Sequence, residues 1–128
     1  MQQTLASEHV IRVLIVDDEP LFRLGVAAAL ADDERLEFIL SEAGDGEAGL
    51  ERIASEEPAV VLLDLNMPGL HGHEVLRLVK ERWPKIRVIV LTGSDSLDDR
   101  RRAEQAGVDA FVEKRHAATK LADVIASL

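Results

Sequence analysis

Four apolar runs of this chain each end at a residue able to do chemistry. Val10 to Val16 stops at Asp17-Asp18, and Ala59 to Leu63 stops at Asp64. Ile86 to Leu91 stops at Thr92, and a shorter run, Asp109 to Val112, ends near Lys114. Three carboxylates brought together repel one another and raise each other's pKa values. A hard divalent cation with oxygen ligands relieves that repulsion, and Mg²⁺ suits one or two carboxylates plus waters and a phosphate. A carboxylate can also take a phosphoryl group as an acyl phosphate. A hydroxyl such as that of Thr92 and a compact cation such as Lys114 would then orient and neutralise the phosphoryl oxygens.

That chemistry requires the run ends to lie side by side. Val10-Ile11-Arg12-Val13-Leu14-Ile15-Val16 is short, apolar and β-branched, and reads as a buried strand. Pro20 suits a first helical turn, so Leu21 to Ala31 reads as a helix. A more polar strand over Leu36 to Ala43 precedes a helix capped by Asp45, running to about Ser55 and ended by Pro58. The strand ending at Asp64 leads through the loop Met67-Pro68-Gly69-Leu70 to a helix over Gly72 to Trp83, stopped by Pro84. The strand ending at Thr92 is followed by a helix over Leu97 to Ala106, closed by Gly107, with a thin apolar stripe. Leu121, Val124, Ile125 and Leu128 mark the apolar face of a last helix.

Alternating strands and helices predict an α/β fold with a parallel sheet covered on both faces. Five units with right-handed crossovers favour a doubly wound, flavodoxin-like sheet in the order 2-1-3-4-5. In such sheets ligands bind outside the carboxyl ends of the strands, at the switch between strands 1 and 3. Asp17, Asp18 and Asp64 fall there.

Composition agrees. A chain of 128 residues is the length of one domain, with 47% hydrophobic and 30% charged residues and no cysteine. Fifteen basic residues against 24 acidic ones, a net charge of -9, argue against the domain gripping nucleic acid by itself and favour a cation as ligand. No run is long enough for a membrane span, and the first nine residues lack the features of a secretory signal, so a cytoplasmic location is expected.

The stretches Ile11 to Pro20, Leu63-Asp64-Leu65-Asn66-Met67-Pro68-Gly69, Val90-Leu91-Thr92-Gly93 and Phe111-Val112-Glu113-Lys114 resemble the receiver domain of bacterial two-component response regulators. The resemblance covers nearly the whole chain, with residues 1–9 as an N-terminal extension and 10–128 as the receiver. It implies a phosphorylation-controlled signalling switch rather than an enzyme of metabolism. Asp64 would accept a phosphoryl group from a sensor histidine kinase or phosphotransfer protein. Asp18 would bind Mg²⁺ directly, Asp17 mainly through water, and the backbone carbonyl of Asn66 would complete the set with Asp64. Thr92 and Lys114 would bind phosphoryl oxygens, Thr92 and Phe111 would form the switch, and Asn66 and Ser94 would tune dephosphorylation. Signalling contacts, including a homodimer, would use the fourth helix, fifth strand and fifth helix. Pro20 to Gly25 resembles receivers joined to DNA-binding output domains, which would lie outside this chain.

Departures are visible. Arg115 follows Lys114 where the family usually has proline, so a trans peptide is expected. Gly93 stands where alanine is common, and Phe111 lacks the hydroxyl of the commoner tyrosine. Two rival readings are a Mg²⁺-dependent phosphatase and a pseudo-receiver that only binds partners. Such phosphatases commonly need a carboxylic general acid two residues after the nucleophile, where this chain has Asn66. The complete five-residue set argues against the pseudo-receiver. Gly44 to Gly49 fits G-x-G-x-x-G, but Glu42, Asp45 and Glu47 crowd the place of a pyrophosphate, and it reads as a turn with one glycine in a left-handed conformation. His71 and His73 read as solvated, with Gly72 easing the turn between them. Arg100-Arg101-Arg102 reads as a solvated helix face.

Overall fold

The computed structural model describes Leu5, residues 10–93 and residues 96–128. In chain order the elements are β1 (Val10–Val16), α1 (Pro20–Ala31), β2 (Glu37–Ala43), α2 (Gly46–Glu56), β3 (Val60–Asp64), α3 (Gly72–Arg82), β4 (Arg87–Thr92), α4 (Leu97–Gln105), β5 (Ala110–Glu113) and α5 (Ala117–Ser127), with a 3-10 turn at Lys114–His116. The five strands form one parallel sheet in the order β2-β1-β3-β4-β5, as the alternation predicts.

Because side chains alternate along a strand, each strand serves two cores. Leu14, Val16, Val61, Leu63, Val88 and Val90 point to one face and meet Ile53 of α2, Val75, Leu76 and Val79 of α3, and Ala103 of α4. Val13, Ile15, Val60, Leu62, Ile89 and Leu91 point to the other and meet Val26 and Leu30 of α1 and Leu121 and Ile125 of α5. Every residue of β3 is buried, which explains its uninterrupted apolar run. Burying a Leu such as Leu62 or Leu63 contributes roughly 1.5–3 kcal/mol each. No helix among the described residues is long and apolar enough to cross a membrane.

Local signals place the helices. Pro20 opens α1. The Asp45 side chain accepts a hydrogen bond from the Ala48 N–H at 2.7 Å and caps α2, which ends through Glu57 in a left-handed conformation just before Pro58. Ser96 caps α4 by accepting from the Asp99 N–H at 3.2 Å, and Gly107, with φ +90°, lets the chain leave it. No cis peptide bond occurs among the described residues, so Lys114–Arg115 is trans as expected.

Two expectations about glycines are corrected. In Gly44 to Gly49 no glycine adopts positive φ; the described glycines that do are Gly69 and Gly107. The requirement there is space. A Cβ on Gly46 would lie 2.8 Å from Val75 Cγ2, and one on Gly49 would lie 3.0 Å from Val16. Gly72 likewise does more than ease a turn: a Cβ there would meet Leu65 Cα at 2.4 Å and the Asp64 carbonyl at 2.6 Å. The start of α3 therefore rests directly on the end of β3.

Candidate functional site

The parallel register brings β1, β3 and β4 to a common carboxyl edge. Asp17 follows β1, Asp64 ends β3 and Thr92 ends β4; these are the three buried polar residues among those described. Asp18 and Glu19 follow Asp17 and are exposed. One carboxylate oxygen from each of Asp17, Asp18, Glu19 and Asp64 lies within 4.8 Å of the others. The two buried aspartates are held alike. Asp17 Oδ1 accepts the Glu19 N–H at 2.7 Å, and Asp64 Oδ1 accepts the Asn66 N–H at 2.9 Å. Each carboxylate thus folds its own following turn and leaves its second oxygen facing Lys114 Nζ. From α1, Arg23 donates to the Asp17 carbonyl and pairs with Glu42 at 2.9 Å, fastening the β1–α1 turn to β2.

Lys114 is the positive centre of this group. Its Nζ lies 2.6 Å from Glu19 Oε1, 2.7 Å from Asp17 Oδ2 and 3.2 Å from Asp64 Oδ2. The Phe22 ring lies beneath it, 4.6 Å from Nζ to the ring centroid. Burial raises the Asp17 pKa above its ordinary value, opposed by Lys114 and by the Glu19 N–H, with the Asp64 charge adding a smaller push upward. The rise expected from mutual repulsion is present, but burial is its main cause. Burial of Lys114 favours its neutral form, yet the contacts with Asp17 and Glu19 and the charges of Asp64 and Asp17 outweigh it and hold the ammonium above the usual lysine range.

Asp17 Oδ2 is buried and accepts no hydrogen bond, although Lys114 lies beside it. An aligned partner is therefore missing at a carboxylate that belongs to the acidic cluster. Oxygen-only donors at this spacing fit a hard divalent cation.

Residues 13–126 match the family described as response regulator receiver domain. The chain belongs to this family. The receiver is 37% identical over 103 residues to the transcriptional activator protein ExaE of Pseudomonas putida, covering 80% of this chain and 47% of that protein. It is 32% identical over 110 residues to the nitrate/nitrite response regulator protein NarL of Escherichia coli K12, covering 86% and 50%. The signal receiver domain of the putative response regulator NarL from Mycobacterium tuberculosis superposes with a TM-score of 0.78 at 33% identity, over 91% of this chain and 96% of that one. The receiver spans about half the length of the curated relatives it matches.

Of the residues named from sequence, the structure gathers Asp17, Asp18, Asp64 and Lys114 at one place. Thr92 stands at the end of the adjacent strand, paired in register with Glu113 beside Lys114. Asn66 follows Asp64 with its side chain exposed. Phe111 is half-buried on β5 against the α2–α3–α4 core, with the Arg100 guanidinium 4.7 Å from its ring centroid. Ser94 lies outside the described residues.

Sequence reasoning missed three partners. Glu19 belongs to none of the strand-end residues singled out in the sequence; its position directly after the Asp pair is the available signal. His73 is not solvated: its side chain is 13% exposed, and Nε2 lies 3.0 Å from Asp99 Oδ1 on α4. The two histidines, Asp99 and Arg102 line a cleft of about 680 Å³ between α3 and α4. Arg100 is exposed as expected, yet its stacking on Phe111 required the fold to be known.

Proposed function

We propose that this receiver accepts a phosphoryl group on Asp64 and thereby changes the surface formed by α4, β5 and α5. The observation that carries the reading is Lys114 Nζ at 3.2 Å from Asp64 Oδ2, inside a group of carboxylate oxygens lying within 4.8 Å of one another. A carboxylate nucleophile, a set of metal-binding oxygens and a phosphate-binding cation meet there.

The donor is the phosphohistidine of a sensor kinase or phosphotransfer protein. An Asp64 oxygen attacks phosphorus, the new O–P bond forms, and the N–P bond breaks. The departing imidazole nitrogen takes a proton. Asp17, Asp18, Asp64 and the Asn66 carbonyl would hold Mg²⁺, which when bound screens the negative charge between the carboxylates and the phosphoryl oxygens. Lys114 pairs with one phosphoryl oxygen, and the Thr92 hydroxyl donates to another. Water later cleaves the O–P bond, returning the Asp64 carboxylate and inorganic phosphate, with Asn66 and Ser94 setting the pace. The protein is thus a signalling switch that is stoichiometrically modified, acting in the cytoplasm. Asn66 stands where a phosphatase of this kind would carry its general acid, which favours the switch over the enzyme.

ExaE is named as a transcriptional activator and NarL as a nitrate/nitrite response regulator. By analogy, the α4–β5–α5 surface controls a DNA-binding output domain or pairs with a second receiver, while the acidic receiver itself stays off the nucleic acid.

Intact mass after incubation with Mg²⁺ and phosphoramidate tests the reading. Wild type should gain one phosphoryl group and Asp64→Asn none. An adduct forming on Asp64→Asn at the wild-type rate would overturn the assignment.

A further inference from the structure

We propose that Glu19 is a positioning residue that holds the Lys114 ammonium between phosphoryl transfers and yields it to the incoming phosphoryl group; this rests on the reading of Asp64 as acceptor. An ammonium has three N–H donors. Lys114 already faces three carboxylates, Glu19 at 2.6 Å, Asp17 at 2.7 Å and Asp64 at 3.2 Å, and packs on the Phe22 ring. The hydrogen bonds of Lys114 go to Glu19 and Asp64, so an incoming phosphoryl oxygen competes with these two for the ammonium. The Asp17 side chain is 0% exposed, and losing its cation would strand buried charge, while Asp64 gives up its own charge only as the O–P bond forms. The Glu19 side chain is 62% exposed and can turn into water at little cost. Glu19 and Phe22 sit three residues apart at the start of α1, so one helical turn both supports the lysine and supplies its exchangeable partner.

Glu19 also adds a fourth negative charge near the place of the cation. Its two effects on the chemistry oppose each other: it attracts Mg²⁺, and it competes with the phosphoryl oxygens for Lys114. Removing the charge should therefore weaken Mg²⁺ binding while speeding transfer at saturating Mg²⁺. A merely structural role would impair both together.

The experiment measures Mg²⁺ affinity by calorimetry and phosphorylation by phosphoramidate, whose N–P bond breaks to release ammonia, in wild type, Glu19→Gln, Glu19→Asp and Asp64→Asn. Glu19→Gln should bind Mg²⁺ several-fold more weakly and accept the phosphoryl group about fivefold faster, the scale of one contact charge in a wet site. Glu19→Asp keeps the charge but shortens the arm, so it should bind Mg²⁺ like wild type and still transfer faster. Unchanged or slower transfer in Glu19→Gln, with wild type active, overturns the Glu19 inference alone. No difference between wild type and Asp64→Asn overturns the acceptor reading, and this inference with it.

Discussion

His73 Nε2 lies 3.0 Å from Asp99 Oδ1, and this contact ties α3 to α4. Within α4 only Ala103 is buried, so few apolar contacts hold the helix down. A double-mutant cycle on His73→Ala and Asp99→Ala should give a coupling of about 0.5–1.5 kcal/mol in unfolding free energy. Amides of α4 should exchange faster in either single variant while those of β3 stay protected. Strictly additive single effects, or unchanged exchange in α4, would count against the tie.

Asp17 sets a pH dependence. Burial raises its folded pKa above the unfolded value of 3.8, although Lys114 and the Glu19 N–H pull the other way. Between those two values the folded state binds more protons than the unfolded state, so stability falls as pH rises through that window. Melting curves of metal-free protein from acid to neutral pH should show that decline. Asp17→Asn should flatten it and raise the neutral melting temperature. Mg²⁺ at a hundred times its dissociation constant should add about 2.7 kcal/mol to wild type. A neutral-pH stability loss in metal-free Asp17→Asn would mean that its ion pair with Lys114 outweighs the burial.

Gly72 and Gly25 should respond oppositely to alanine. At Gly72 the new methyl meets backbone of Asp64 and Leu65, which cannot move without disturbing β3. We expect a loss of about 1–3 kcal/mol in urea unfolding, together with slower phosphorylation. At Gly25, inside α1, nothing lies within 4 Å, and Gly25→Ala should gain about 0.4–1 kcal/mol. Equal effects at both sites would show that helix propensity, not the close approach, governs Gly72.

Arg100 stacks on Phe111 from the solvent side, a contact of about 0.5–1 kcal/mol at an exposed site. A beryllofluoride adduct on Asp64 should shift NMR signals of Thr92, Phe111 and α4 together, because an aromatic ring that moves inward leaves its guanidinium partner. Arg100→Ala should make the Phe111 signals of the unmodified protein resemble those of the adduct more closely. Shifts confined to Asp64 and Lys114 would count against the switch role that the family resemblance implies for Phe111.

The strands and their order were legible because buried parallel strands carry uninterrupted apolar runs whose ends coincide with polar residues. Asp17, Asp64 and Thr92 stood out for that reason. Other features depend on groups distant in sequence. Glu19 and Lys114 are 95 positions apart, and His73 and Asp99 are 26 apart, so no local pattern announces either pair. Gly72 looked like a turn residue because crowding by the backbone of Leu65 is invisible before the chain folds. Thr92 and Lys114 were placed by where strands end, whereas Phe22 beneath the lysine looked like an ordinary helix apolar residue.

Lys114 reaches Asp64 across 50 residues and Glu19 across 95. Those ends cannot meet until β1, β3, β4 and β5 lie side by side, since each supplies or carries a neighbouring part of the cluster. Closing such long loops is entropically costly, and the cost is met only by the assembled sheet. A fragment without β1, β3 or β5 therefore cannot keep the cluster complete. An intact cluster is then a mark of an assembled sheet, and a copy lacking one of these strands would lose the proposed phosphoryl acceptance along with it.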